Sequence, residues 1–181
     1  PSSPSVRSHF GSSGDSPLYR RNCTASLLSM SSADETAAFL VPVMVQDAPQ
    51  YGEGHKGVFA AVPIPHGTAV WQMTDLVQKV HHKELPEILT SMPKAAAAVY
   101  LRQSCVMPDD LEHLFVNPRD AGRFTNHSSQ PNIDFEGAIK DIAPGEEIVM
   151  DYNQHGDPEW YRELCMKYGV LTERQVAAQA K

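Results

Sequence analysis

The chain has 181 residues, 41% apolar and 20% charged, which suits a globular domain of ordinary size. No apolar run approaches the ~18 residues that would suggest a membrane-spanning helix, and a net charge of −7 argues against tight nucleic-acid binding, which depends on neutralising phosphates. The three cysteines, Cys23, Cys105 and Cys165, are odd in number and scattered, a pattern that fits a reducing compartment better than a disulfide framework.

Residues 1–29 are Ser-rich and carry Arg7, Arg20 and Arg21 against a single Asp15. Such a stretch buries too little apolar surface to offset ordering entropy, so it is expected to be a disordered extension. Two origins stay open for it. It has the composition of an organelle transit peptide, or it lies upstream of a true start at Met30. With +2 in that stretch, residues 30–181 carry −9, a balance that suits a basic protein or peptide partner.

Phe39–Val45 is apolar and β-prone, with Pro42 marking an edge or entry position. The glycines at 52, 54 and 57 follow, a loop whose backbone can approach a ligand without Cβ obstruction. Val58–Pro63 after it reads as strand, which argues against the dinucleotide-binding version of this glycine pattern because that version needs a helix there. Pro65-His66-Gly67 predicts a turn, with Thr68–Gln72 returning as the second strand of a hairpin. Residues 75–116 look more helical: Leu76, Val77 and Val80, then Leu85, Ile88 and Leu89, suggest short amphipathic segments broken by Pro86 and Pro93. An Ala-rich helix follows from Lys94, and Asp109–Val116 passes from turn to strand. Ile133–Phe135, Ala138-Ile139 and Ile148–Met150 read as short strands. Asp157-Pro158-Glu159 has the form of a helix start, with Asp157 as N-cap, and Gly169 is a plausible stop. Thr172–Ala180 is expected to form a second, fraying helix.

Two stretches stand out chemically. Asn126-His127-Ser128-Ser129-Gln130-Pro131-Asn132 is too polar for a core strand and is rich in side-chain donors and acceptors. Gly145-Glu146-Glu147-Ile148-Val149-Met150-Asp151-Tyr152 is a turn, two carboxylates and an apolar run that delivers one Tyr. In this order and spacing the pair resembles the signature of the SET-domain protein lysine methyltransferases. Gly52–Ala60 with Ile64–Thr68 is similar to the family's opening loop, so the resemblance covers roughly residues 40–170.

The resemblance implies a mostly β fold with a helical insert (α+β), the SET β-clip with a pseudoknot-like C-terminal segment. It implies a SET domain over residues 30–170 followed by a helical tail at 171–181. The activity implied is transfer of methyl groups from S-adenosylmethionine to lysine of a histone or other basic protein, with no direct nucleic-acid or membrane partner. Tyr152 matches the family's catalytic Tyr. Asn126 and His127 match the cofactor-binding pair, and Gly54 and His55 match the loop that meets the cofactor's methionine moiety. Tyr100 is either a second aromatic at the lysine channel or simple core, and Trp160 either stacks on adenine or packs its helix. Met150 occupies a position linked to product specificity; lacking a hydroxyl, it points towards di- or trimethylation. Ser129 stands where the family usually has Cys.

The zinc cysteines that follow many SET domains are missing, since Cys165 has no second Cys nearby. His81-His82, read as part of a helix, would diverge, so no metal is expected. A nuclear or cytoplasmic location is expected, or an organelle if residues 1–29 are a transit peptide. The rival reading is a SET-like interaction module that has lost turnover.

Overall fold

The structure is a computed structural model and describes residues 35–179; the extension predicted for residues 1–29 lies outside the described residues. Strands β1 (Val43–Asp47), β2 (Lys56–Ala60), β6 (Asn126–His127) and β7 (Glu147–Met150) form one sheet in the order β1-β2-β7-β6. Strands β3 (Gln78–His81), β4 (Ser104–Met107) and β5 (Asp110–Val116) form a second, in the order β3-β5-β4. The described residues also form four α-helices, α1 (Leu85–Thr90), α2 (Lys94–Arg102), α3 (Glu159–Tyr168) and α4 (Glu173–Gln179), and three short 3-10 turns. Small sheets with a helical insert are the α+β architecture that the sequence implied.

Each sheet has its own core. Val58 and Ala60 of β2, Ile148 and Met150 of β7, and Ile64, Val70, Ile133 and Ile142 from the connecting segments bury one apolar cluster. Leu85, Leu89, Ala97 and Leu101 of the insert, Val106, Leu114 and Val116 of the second sheet, and Tyr161 and Cys165 of α3 bury the other. Helix α3 therefore belongs to the insert's core, although it lies far from the insert in sequence.

Several predicted boundaries are corrected. Pro42 does mark entry into β1, an edge strand. The hairpin expected from Val58–Pro63 and Thr68–Gln72 does not form: β2 pairs antiparallel with β1 and β7 instead. Val70 and Trp71 turn to the start of the described chain, where Leu40 N–H donates to the Val70 carbonyl at 2.9 Å and Phe39 bridges Trp71. Long-range pairing with β7 outcompetes the local return, because β7 brings Ile148 into the same core. Leu76–Val80, expected to be helical, leads instead into β3, which pairs with β5 in the register Gln78↔Val116 to His81↔His113. Pro86 opens α1 and Pro93 is the N-cap of α2, so neither breaks a helix. Ile133 and Ala138 meet only as an isolated bridge, and Ile133 also bridges Met150.

At the C-terminal helices, α3 starts after Pro158 and has no side-chain cap; the Asp157 carboxylate instead faces the Arg162 guanidinium. Gly169 ends α3 at φ 71°, and Val170 N–H returns to the Cys165 carbonyl at 2.8 Å. Helix α4 carries a reciprocal cap in which Thr172 N–H donates to Gln175 Oε1 and Gln175 N–H donates to Thr172 Oγ1. With Ala177 buried, α4 is docked rather than frayed as the sequence suggested.

Candidate active site

The polar stretch at 126–132 wraps along β7. Strand β6 runs parallel to β7 with Asn126 opposite Val149 and His127 opposite Met150, and Ser128 N–H donates to the Met150 carbonyl at 3.0 Å. Asn132, fully buried, locks the far end of the loop. Its amide donates to the Glu147 carbonyl at 2.7 Å and to Glu146 Oε1 at 3.2 Å, and its oxygen accepts from Val149 N–H at 2.8 Å. A buried polar side chain is tolerated here because it replaces strand partners that the loop itself lacks.

Tyr152 follows β7 directly, at the start of a 3-10 turn over Tyr152–Gln154. Its hydroxyl donates to the Thr125 carbonyl at 2.7 Å, and its N–H donates to His127 Nδ1 at 3.1 Å. The ring lies against those of His127 and His155. Burial, assisted by the charge of Glu173, raises the phenol pKa, so it remains a neutral O–H.

Tyr152 and Met150 line a cavity of about 410 Å³ between the two cores. Phe39, Val70, Ile133 and Phe135 form part of its wall, and Cys105 and Phe115 of the second sheet face them. Burial raises the Cys105 thiol pKa, so its side chain stays uncharged. Arg102, Arg123 and Asp134 also line the cavity, as do two buried groups whose titration the fold displaces, His155 and Glu173. His155 is pushed down to about 4 by burial, and Glu173, at the start of α4, is pushed up to about 7 by the same cause. His155 Nδ1 and Glu173 Oε2 are buried without hydrogen-bond partners.

Of the other predicted cofactor residues, Gly54, His55, Asn126 and His127 do not line this cavity. The Asn126 amide donates to the Lys56 carbonyl at 2.9 Å and to Glu147 Oε1 at 2.8 Å, pinning β6 to the end of the glycine loop. Glu147 also accepts from Gln50 at 2.8 Å and from the Tyr51 hydroxyl at 3.3 Å. Gly54 and His55 are exposed; Gly54 sits at φ 77° with open space where a Cβ would stand. His127 is buried and joins the two groups through its bond from Tyr152.

Tyr100 and Trp160 do not line the cavity. Both pack against the insert's core. Trp160 Nε1 donates to the Leu111 carbonyl at 2.9 Å and its ring stacks on His82. Sequence reasoning missed Glu147 as the hub of the glycine loop, and Glu173 and His155 as cavity groups. A carboxylate at the head of the apolar strand of the signature could have singled out Glu147; no local pattern marks the other two. The premise about His81-His82 also fails, since they lie at a strand end and converge.

Comparison with protein families matches the SET domain over residues 55–153, more than half of the sequence. The chain belongs to the SET-domain family. No curated protein matches the sequence. Among solved structures, apo ctPRC2 with two substitutions in Ezh2 superposes with a TM-score of 0.50 at 22% identity, covering 68% of this chain and 16% of that one. Apo ctPRC2 in an autoinhibited state gives 0.50 at 22%, covering 70% and 17%. ctPRC2 in an autoinhibited conformation bound to S-adenosylmethionine gives 0.50 at 21%, covering 70% and 17%. These proteins are from Chaetomium thermophilum. The likeness is one of fold, and the chain spans about a sixth of the length of these neighbours.

Proposed function

We propose that this chain is an S-adenosylmethionine-dependent protein-lysine methyltransferase. The observation that carries the reading is Tyr152: a neutral phenol whose hydrogen is committed to the Thr125 carbonyl, at the wall of a cavity lined in large part by apolar side chains. The ligand-side residues fit the cofactor. Gly54 leaves its backbone open to approach, Asn126 holds a side-chain amide beside it, and His127 connects that region to Tyr152. Gly54, His55, Asn126 and His127 would hold S-adenosylmethionine, whose sulfonium supplies the methyl group.

The protein's task is to present a neutral amine. A free lysine at pH 7 is unprotonated in only roughly one molecule in 2,500, a handicap of about 4.6 kcal/mol. The apolar walls formed by Phe39, Val70, Phe115 and Ile133 desolvate an incoming side chain and disfavour its ammonium form. Tyr152 Oη retains lone pairs that can accept an amine N–H and orient the nitrogen, and such alignment can contribute about 7–11 kcal/mol. The Thr125 carbonyl fixes that oxygen in place. Met150 brings no hydroxyl to hold a water near the amine, which favours addition of more than one methyl group. The acidic charge of residues 30–181 favours a basic substrate segment.

The test is a calorimetric titration of the chain with S-adenosylmethionine, followed by methyl transfer to basic peptides. One-to-one binding is expected, and Tyr152→Phe should keep that affinity while turnover falls by about 10²-fold or more. No binding by folded protein would refute the cofactor reading. Binding without turnover on basic substrates would favour the inactive interaction module, and equal loss of binding and turnover in the variant would remove Tyr152 from its role.

A further inference from the structure

A second cluster of chemically active side chains lies away from the cavity, at the edge of the insert. Strand β3 ends at His81, directly opposite His113 of β5, and His82 N–H donates to the Glu112 carbonyl at 2.9 Å. The chain turns at once, with Glu84 N–H donating back to the His81 carbonyl at 2.9 Å. Because His82 sits in this turn, its ring does not go to the opposite face. The two imidazoles stack with centroids 4.7 Å apart, and their Nε2 atoms lie 3.7 and 3.2 Å from Glu112 Oε2. One ligand atom from each of the three residues falls within 4.8 Å of the others.

We propose that His81, His82 and Glu112 form a binding site for a divalent transition metal of the zinc class. Two imidazoles and one carboxylate suit zinc, nickel or copper better than magnesium or calcium, which prefer oxygen ligands. Tetrahedral zinc with ligands at ~2.0–2.2 Å holds neighbouring ligand atoms roughly 3.3–3.5 Å apart, so only small side-chain movements separate the present geometry from a closed site. Three protein ligands leave the fourth position to water. Glu112 is two-thirds exposed and the histidines about one-quarter, so an ion can enter from solvent.

The surroundings hold the ligands in place. His82 rests on the Trp160 indole at 5.4 Å, and that indole is itself fixed by its bond to the Leu111 carbonyl. His113 meets His81 edge-on at 5.1 Å and is tied to Asp110 at 2.8 Å, while Lys79 takes the other Asp110 oxygen at 2.6 Å. His113 and Asp110 thus occupy each other and leave the other three residues free to converge. One rearrangement is required. Lys83 N–H donates to His81 Nδ1 at 3.2 Å, which puts that ring's proton on Nε2. An ion on Nε2 shifts the proton to Nδ1, and the Lys83 amide, on an exposed turn residue, transfers its bond to water. A bound ion would join the β3–β5 edge of the insert to α3 through the His82–Trp160 stack.

The experiment is calorimetric titration of the full chain with zinc chloride, with copper(II) quenching of tryptophan fluorescence as a second readout because His82 stacks on Trp160. One-to-one zinc binding on the order of micromolar is expected. Glu112→Gln and His81→Asn should each weaken it by about 10-fold or more, with loss of the quenching, while circular dichroism stays unchanged. Both substitutions fall on partly exposed side chains and spare the ring that packs on Trp160. Zinc binding weaker than about 1 mM, or affinity unchanged in both variants, would overturn the assignment; methyl transfer enters neither outcome.

Discussion

Glu173→Gln offers a direct test of the buried charge at the cavity. Glu173 Oε1 accepts from the Tyr161 hydroxyl at 3.1 Å, while Oε2 is sealed from solvent without a partner. Burial, with Asp157 adding to it, raises this carboxyl from 4.5 to about 7. The folded protein therefore binds the proton more tightly than the unfolded chain. Ionising Glu173 in the folded state is penalised above pH 7, and the penalty fades as pH falls from about 7 to about 4.5. The interval from 4.5 to about 7, at about 1.36 kcal/mol per pH unit, bounds the penalty at about 3 kcal/mol. Gln is neutral, keeps the shape and can still accept from Tyr161. Urea unfolding of both proteins from pH 4.5 to 9 should show the variant more stable at pH 8–9 by up to about 3 kcal/mol, with the difference vanishing near pH 4.5. His155, lowered to about 4 by burial, removes stability as pH falls from 6.5 towards 4, but it does so in both proteins and cancels in the difference. A difference that is flat with pH, or a variant less stable at pH 8, would mean that Glu173 is solvated or paired, and the reasoning would fail.

Asn126→Ala should lower S-adenosylmethionine affinity by about 10-fold or more in calorimetry, since it removes the amide beside the open glycine loop; unchanged affinity would take Asn126 out of the site. Asn132→Ala should destabilise the fold by about 2–4 kcal/mol, measured by denaturant midpoint, because it leaves the Val149 N–H and the Glu147 carbonyl short of partners in a fully buried site. Gly137→Ala should cost about 3 kcal/mol or more. Its Cβ would stand 2.4 Å from the Thr68 carbonyl oxygen, at φ 148°, where L residues are strained. A thermal midpoint within 2 °C of the parent's would show that the 137–138 segment yields more easily than its backbone bonds indicate.

The family was legible in the sequence because its signature rests on contiguous, polar, low-alternative stretches. Asn126–Asn132 has no place in an ordinary core strand, and Gly145–Tyr152 delivers its Tyr from a turn and a short strand that local propensity already encodes. Gly169 was readable as a helix stop for the same reason: the left-handed conformation at φ 71° is a property of one residue. Elements whose partners lie far away were not readable. Leu76–Val80 has a spacing compatible with a helix and became strand only because β5 supplies a matching edge. Val58–Ala60 left its expected hairpin for β7, some ninety residues on. Trp160 and Tyr100 were open between site and core, and their packing against the insert's apolar cluster was not readable locally. Tertiary structure alone brought Glu173 to the cavity of Tyr152, and it alone turned His81 and His82 onto Glu112. Both depend on how separate segments pack, and burial and side-chain convergence are properties of that packing, which no local run of residues carries.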